Sequence, residues 1–432
     1  MLKQLSLGFL GLSIVSSGFS VSLSQGFLVL GFLTYLPNLK FRGNIFLVPI
    51  LFLIFAETIS SFWNVFHSAS ISKSFSTMLK GEWKDLFLIA GFFLISSREK
   101  KEIPFIKRAF FVLGILLFVT SLISLFSPYR LSSFLNQILF SKNTVWPYAT
   151  KYGELKGVSI FIPNAMFGSH LTLGGIFLLL GFFLFGNLYE NFLKLQFTKK
   201  RILLFSLVFA VAVVLLLFNN SRSAILGIFC ASILGIFLCR KLFLKHWNVR
   251  ILKTLGISVL ILIPILVYSF QNSYVFNKAI QPFLGSEKHT DGGRYFIWNG
   301  SMELFQKNPI FGIGSGNFNS KIEETRTDLE IQSPEIYYFY EIAQKGHSHN
   351  DLLHMLVCFG ILGGLAYLFL FYAILKALFQ LQEKSIPFLG LAGFLFAGLL
   401  QCYFQDDEVV ILFWYLLGFF QITLAESNAK SV

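Results

Sequence analysis

Long apolar segments alternate with short polar segments along nearly the whole chain. A helix needs about 20 apolar residues to cross a bilayer, and many of the segments approach that length. They lie at 5–20, 26–39, 44–62, 85–97, 106–126, 159–186, 202–218, 222–239, 252–270, 350–378, 387–402 and 408–425. The pattern predicts an all-α integral membrane protein with about 12 transmembrane helices. No small-x-small cleavage site follows the first segment, so we expect a retained helix there and not a signal peptide.

The polar segment 271–349, called the large loop below, is the longest interruption of this pattern. It follows the ninth predicted span and precedes the tenth. Gly-Gly, Asn-Pro and Gly-x-Gly sequences punctuate it, which is typical of several short helices joined by turns. We therefore expect a membrane region at 1–270, the large loop at 271–349 and a second membrane region at 350–432.

The basic residues indicate the orientation of the chain. Lys and Arg are concentrated in short loops at 98–108, 194–201 and 240–253. These loops fall on the same side as both termini if the chain crosses the membrane about 12 times. Because short basic loops stay in the cytoplasm, we predict cytoplasmic termini and a large loop on the opposite side.

The composition excludes an ordinary soluble protein. The chain is 55% hydrophobic and only 13% charged, whereas soluble domains contain about 25% charged residues. A net charge of +13 would suggest nucleic acid for a soluble protein, but the positive-inside rule accounts for it here. We predict membrane lipids as partners and no nucleic acid. The four cysteines lie in apolar stretches without zinc-ligand spacing, so no disulfide framework is expected.

Three of the seven histidines, His347, His349 and His354, lie where the large loop ends and a long apolar segment begins. Imidazole accepts a proton near neutral pH, so this cluster at a membrane surface suggests acid–base chemistry. The His-x-His pair also resembles part of a zinc site, but only Asp351 is close by to complete it. We predict no metal site and no cofactor.

Arg222 stands in the sequence Asn-Asn-Ser221-Arg-Ser-Ala, which joins two apolar segments by a tight turn on the side of the large loop. An arginine at the membrane surface is expensive to desolvate unless it is paired. Its guanidinium group, the N–H groups of a helix start and the neighbouring hydroxyl together suit a phosphate. The alternative is an arginine that extends to the lipid headgroups.

Three further residues lie on the same predicted side. Arg294 falls in the first turn of a predicted amphipathic helix, where a cation is unfavourable. A function would explain that cost, and a solvated loop arginine is the alternative. Lys156 precedes Gly157 and is a possible third cation at this surface. His170 lies near the outer end of the next helix, where a hydrogen-bonded structural histidine is more common than a catalyst.

The chain resembles the O-antigen ligase and polymerase superfamily of bacterial envelope glycosyltransferases. The resemblance rests on three blocks. The first is His349-Asn350 with Gly360 and Gly363, and the second is Asn-Ser-Arg222-Ser-Ala with Leu226. The third is Gly293-Arg294 to Trp298 with Asn308-Pro309 and Gly312-x-Gly314. One position departs from the family pattern. The ligases often have an arginine shortly before the glycine that leads into the middle helix, where this chain has Lys156. Lysine keeps the charge but loses the two-pronged donor.

The resemblance implies an inverting, metal-independent transfer of a glycan from undecaprenyl diphosphate at the periplasmic face of the bacterial inner membrane. It implies that Arg222 and Arg294 hold the leaving diphosphate in place of a metal ion. It also implies that His349 is the base that takes a proton from an acceptor hydroxyl. The substrate-binding candidates are Lys156, Asn350, His347, His170 and Ser221.

Several functions remain open. The first is an O-antigen ligase whose acceptor is the lipid A–core, because the His349-Asn350 signature is the ligase type. The second is a polymerase that joins lipid-linked repeat units, and a protein-directed oligosaccharyltransferase is a further variant. A transporter or flippase would need titratable residues at mid-membrane, whereas Asp406, Asp407 and Glu408 fall in a short outer turn.

Overall fold

The computed structural model describes residues 2–40, 45–140, 148–155, 157–194, 211–212, 214–238, 240, 290–332 and 346–429. These residues are mostly helical, as predicted. The longer helices are α1 Leu2–Ser16, α2 Val21–Tyr35, α3 Leu47–Phe66, α4 Ile71–Lys80, α5 Ala90–Ser96, α6 Ile103–Phe126, α7 Leu131–Phe140, α8 His170–Lys194, α9 Arg222–Leu238, α10 Thr290–Lys307, α11 Phe318–Gln332, α12 Asp351–Leu381, α13 Leu389–Ala397 and α14 Asp407–Asn428. Short 3₁₀ helices lie at Leu36–Asn38, Glu82–Ile89, Lys100–Glu102 and Gln382–Phe388.

Several of these helices are long and apolar enough to cross a membrane, which makes the chain a multi-pass membrane protein. Among the described residues they are Leu47–Phe66, Lys100–Phe126, His170–Leu188, Asp351–Ala397 and Asp407–Asn428. Helices α1 and α9 are apolar but shorter. The predicted segment 252–270 and most of 202–218 lie outside the described residues. The predicted number of spans therefore stays a prediction.

The structure departs from the apolar pattern around residue 160. The predicted helical segment 159–186 begins instead with β2, Val158–Phe161, which pairs antiparallel with β1, Lys151–Leu155. Gly157 lies in the turn with φ +82°, and the helix starts only at His170. Pro163 separates strand from helix, because proline disfavours a helical residue before it. The described residues are thus mostly helical, as predicted, with one small hairpin that the apolar pattern did not indicate.

The core of the membrane region is formed by α12 and α14. Helix α12 packs against α3, α10 and α13, and α14 packs against α5 and α8. Every residue of α14 from Val409 to Gln421 is buried. Small residues allow the closest approaches: a Cβ added to Gly227 of α9 would lie 2.5 Å from the carbonyl oxygen of Gly393 in α13. Such contacts are typical of helices that associate in lipid, where hydrophobic burial does not drive packing.

Helix α12 is kinked at Gly360, which has φ 66° and ψ −161°. Only glycine adopts this backbone conformation readily. The kink makes room for a turn segment of the large loop, residues 309–314, because an added Cβ would lie 2.0 Å from the carbonyl oxygen of Ile310. The N–H of Ile361 donates to the carbonyl of Pro309 at 2.8 Å.

The same loop segment forms hydrogen bonds with carbonyl groups of α12 at the kink. The N–H groups of Ile313 and Gly314 donate to the carbonyls of Val357 and Cys358 at 2.9 and 2.8 Å. Gly312 and Gly314 both have positive φ, so the Gly-x-Gly sequence supplies the backbone conformation for this docking. The large loop is therefore joined to α12 by main-chain hydrogen bonds.

Candidate functional site

The His349–Asn350 pair lies at the start of α12, as predicted. The Asn350 side chain caps the helix by accepting the N–H of Leu353 at 2.9 Å. His349 has φ 51°, a left-handed conformation that is uncommon for residues other than glycine. Its side chain is 6% exposed, and its ring lies perpendicular to that of His347 with 4.4 Å between the centroids. The local backbone thus turns the two rings toward each other.

Gln401 lies beside the ring of His349. Nδ1 of His349 lies 3.4 Å from the side-chain oxygen of Gln401. An amide oxygen only accepts hydrogen bonds, so a hydrogen bond at this contact requires the proton on Nδ1 and leaves the lone pair on Nε2. That tautomer is the one a general base at Nε2 requires.

His347 is kept neutral by its surroundings. Burial lowers its pKa to about 3, and the neighbouring His349 and His354 and the charge of Arg294 contribute to the lowering. Its Nδ1 is buried without a hydrogen-bond partner among the residues that the structure describes. The third histidine of the cluster makes a different contact, because Nε2 of His354 lies 3.2 Å from a carboxylate oxygen of Glu82.

Residues 398–406, the loop between α13 and α14, hold the start of α12 in place. Cys402 Sγ accepts the N–H of Asn350 at 3.2 Å. The carboxylate of Asp351 accepts the N–H of Phe404 at 3.0 Å, and the N–H of Asp351 donates to the carbonyl of Gly398 at 2.6 Å. This segment is called the 398–406 loop below.

Arg222 begins α9, directly after a tight turn, as predicted. Asn220 in the turn has φ 56°. The side-chain amide of Asn219 donates to the carbonyl of His170 at 2.8 Å and to that of Pro163 at 3.0 Å. The Arg222 turn is therefore fastened to the start of α8, and His170 lies beside it.

The 398–406 loop also reaches the Arg222 turn. The hydroxyl of Tyr403 lies 2.9 Å from the hydroxyl of Ser223 and 3.4 Å from that of Ser221. These serines flank Arg222 on both sides and are buried. Gln401 and Tyr403 thus connect His349 and the Arg222 turn through a single short loop.

The remaining predicted residues have different positions. Arg294 lies on α10, which packs against α12, and it is close enough to His347 to affect its pKa. Ser221 is fully buried against Tyr403, so its hydroxyl lies within the packed turn. Lys156 lies outside the described residues.

The 398–406 loop was missed by the sequence analysis, which considered only its acidic end. Asp406 accepts the hydroxyl of Thr172 in α8 at 2.6 Å. Burial raises the pKa of Asp406 well above its usual range, and the nearby carboxylate of Glu408 adds to the rise. Neither Gln401 nor Tyr403 stands in a motif, so no local signal indicates their roles.

Part of the chain matches a known protein family. Residues 207–368 match the family model described as O-antigen ligase. This match supports membership of the O-antigen ligase superfamily. The match covers somewhat more than a third of the chain and includes Arg222, Arg294, His349 and the Gly360 kink. A search of curated proteins found no match.

The match to this family narrows the possible chemistry. The family includes O-antigen ligases, which are glycosyltransferase-type enzymes, and it supports a function of the ligase or polymerase type. Lipid-linked glycans are the general substrate class. The 398–406 loop lies outside the matched region. It nevertheless contacts two parts of that region, His349 and the Arg222 turn.

Proposed function

We propose that the protein is an O-antigen ligase-type glycosyltransferase of the bacterial inner membrane. It transfers a glycan from undecaprenyl diphosphate to the lipid A–core at the periplasmic face. The observation that carries this proposal is the 398–406 loop, which contacts both His349 and the turn of Arg222. A proton acceptor and an anion-binding turn are therefore held on one structural unit.

The leaving group requires cationic partners. Negative charge grows on the diphosphate as the bond to the anomeric carbon breaks, and preorganised donors stabilise that charge. Arg222 offers a two-pronged guanidinium beside the N–H groups that begin α9. Arg294 adds a second cation from α10. In this proposal the arginines take the part that a divalent metal plays in other glycosyl transfers.

The acceptor requires a base. A hydroxyl oxygen of the acceptor attacks the anomeric carbon, the bond to the diphosphate oxygen breaks, and Nε2 of His349 takes the hydroxyl proton. One displacement of this kind inverts the anomeric centre. His347 stays neutral beside it because burial lowers its pKa to about 3, so its ring orients a hydroxyl without adding charge.

The other predicted substrate-binding residues have supporting parts in this proposal. Asn350 fixes the backbone of His349 by capping α12. Ser221 holds the Arg222 turn through Tyr403, and the carbonyl of His170 holds the same turn through Asn219. Lys156 remains a candidate cation on the basis of the sequence alone.

A polymerase is the second candidate, because the same base and arginines would serve a lipid-linked acceptor. The His349-Asn350 signature with Gly360 and Gly363 favours the ligase. One observation bears on the remote transporter alternative: Glu57 is a buried carboxyl within α3, which the sequence analysis did not weigh. A single buried carboxyl also serves a structural role, so it does not displace the transferase.

Deletion of the gene separates the two main candidates. Loss of all polymer from the lipid A–core on a lipopolysaccharide gel, with polymer accumulating on the lipid carrier, is the expected result. Single repeat units on the core would identify a polymerase instead. If the deletion strain and the strain complemented with the gene gave the same lipopolysaccharide pattern, both the ligase and the polymerase would be contradicted.

A further inference from the structure

Three buried side chains lie close together at the first turns of α12, and none of them takes part in the proposed transfer. Glu82 begins the 3₁₀ helix Glu82–Ile89, and His354 and Cys358 lie one turn apart on α12. They are 8%, 1% and 0% exposed, respectively. The spacing of four residues puts His354 and Cys358 on one face of the helix, and that face meets Glu82.

The distances within this trio fit a metal ion. Glu82 Oε1 lies 3.2 Å from His354 Nε2, Cys358 Sγ lies 3.6 Å from that nitrogen, and the sulfur lies 3.9 Å from Oε1. Zinc binds carboxylate oxygen and imidazole nitrogen at about 2.0–2.2 Å and thiolate sulfur at about 2.3 Å in tetrahedral geometry. Tetrahedral angles then place neighbouring donors roughly 3.3–3.7 Å apart. The three donor atoms would therefore need to move by only a few tenths of an ångström from their observed positions to bind the ion.

The groups around the trio orient the donors. The N–H of Gly316 donates to the other oxygen of Glu82, Oε2, at 2.5 Å, which turns Oε1 toward His354. The ring of Phe318 lies 5.0 Å from the His354 ring. Metal sites typically have such outer contacts. A hydrogen bond to the carboxylate oxygen that does not bind the metal fixes the direction of the oxygen that does.

Charge also favours a dication at this position. A carboxylate and a thiolate together neutralise a doubly charged ion.

We propose that Glu82, His354 and Cys358 bind one zinc ion. Cys358 loses its thiol proton to solvent when the ion binds, and a water molecule supplies a fourth ligand. Thiolate and imidazole donors favour zinc over magnesium or calcium, which prefer oxygen. The ion is structural: it joins the segment after α4 to α12, close to where α12 presents His349. It does not contact the reacting atoms, so the proposal is independent of the transfer mechanism.

The test uses the purified full-length protein in detergent. Zinc is removed with a chelator and titrated back against a chromophoric competitor, and bound metal is counted by mass spectrometry. We expect one ion per chain in the native protein. Glu82→Gln and Cys358→Ser should weaken binding at least 10-fold, as loss of a ligand or of its support does. Cys230→Ser is the matched control, because Cys230 lies on α9 and outside the trio.

Cobalt provides a second measurement that does not depend on variant stability. Cobalt in place of zinc should give a thiolate charge-transfer absorption in the native protein and in the Cys230→Ser variant. Zinc should also raise the melting temperature of these two proteins and not that of Glu82→Gln.

Two outcomes would overturn the proposal. One is native protein that retains far less than one zinc per chain and gives no cobalt–thiolate band. The other is zinc bound equally by native protein and Cys358→Ser, which would place the ion at other histidines. In either case the trio is a buried hydrogen-bonded contact between Glu82 and His354 with a neighbouring thiol.

Discussion

Removal of the Tyr403 hydroxyl tests whether the 398–406 loop positions Arg222. Tyr403→Phe deletes contacts of 2.9 and 3.4 Å to Ser223 and Ser221 and leaves the ring packing intact. A neutral hydrogen bond contributes about 1 kcal/mol, and a hydroxyl left unpaired in a buried place costs about 1–3 kcal/mol. Because serine hydroxyls can rotate toward other acceptors, a total of about 1–2 kcal/mol is expected. If this whole free energy is lost from the binding of donor by Arg222, donor affinity falls by about 5- to 30-fold.

The assay measures binding of lipid-linked donor and its turnover by purified protein, beside the melting temperature. Tyr415→Phe is the matched control. The Tyr415 hydroxyl is equally buried and hydrogen-bonded, but its partner is Ser13 in α1 at 2.5 Å. We expect both variants to lose stability and only Tyr403→Phe to lose donor affinity.

A double-mutant cycle provides the decisive comparison. If Tyr403 acts through Arg222, then Tyr403→Phe should have little further effect on donor affinity in an Arg222→Ala background, because coupled residues are not additive. Fully additive losses in the double variant would refute the positioning role. Equal losses of affinity in Tyr403→Phe and Tyr415→Phe would refute it as well.

Four further predictions follow from the site. His349→Ala should lower turnover by about 10²- to 10⁴-fold while donor still binds; near-normal turnover would rule out His349 as the base. Arg222→Ala should weaken donor binding as well as turnover, and Arg222→Lys should recover only part of each, since one ammonium group cannot replace a guanidinium fork; full recovery by lysine would contradict the two-pronged contact. Gly360→Ala should sharply reduce folded protein in the membrane, because its Cβ would lie 2.0 Å from a loop carbonyl oxygen, whereas Gly168→Ala, with nothing within 4 Å, should not. The folded pKa of His347 is lowered from 6.5 to about 3, so its contribution to stability is present above pH 6.5 and is lost as the pH falls toward 3. His347→Gln should therefore lose less melting temperature than the native protein between pH 7 and pH 4, and parallel losses would contradict the assignment.

The helix starts that carry the candidate residues could be predicted because their signals are local. Arg222 follows turn-forming asparagines and a serine, and Asn350 is a good cap directly before an apolar run. The structure begins α9 and α12 at those points. The hairpin before His170 was missed because strands β1 and β2 are short and lie next to a long apolar segment, whose composition favours a spanning helix.

The contacts that join the candidate residues could not be predicted, because they connect distant parts of the chain. Gln401 lies 52 residues from His349, and Tyr403 lies 182 residues from Ser221. Periodicity and spacing describe a single element, and neither indicates which loop will lie between two helix ends. Gln and Tyr in a loop are also chemically ordinary, so their roles depend on packing that only the folded chain provides.

The glycines of two separate sequence blocks belong to one contact. Gly360 opens α12 so that the loop segment at 309–314 can pack against it, and Gly312 gives that segment the backbone conformation it needs. This segment directly follows α10, which carries Arg294, while α12 begins just after His349. Main-chain hydrogen bonds at the kink therefore limit how far the cation of the large loop can move from the proposed base. A loop held only by side chains would leave that distance free to vary, and a transition state that needs both groups at once favours the tighter connection.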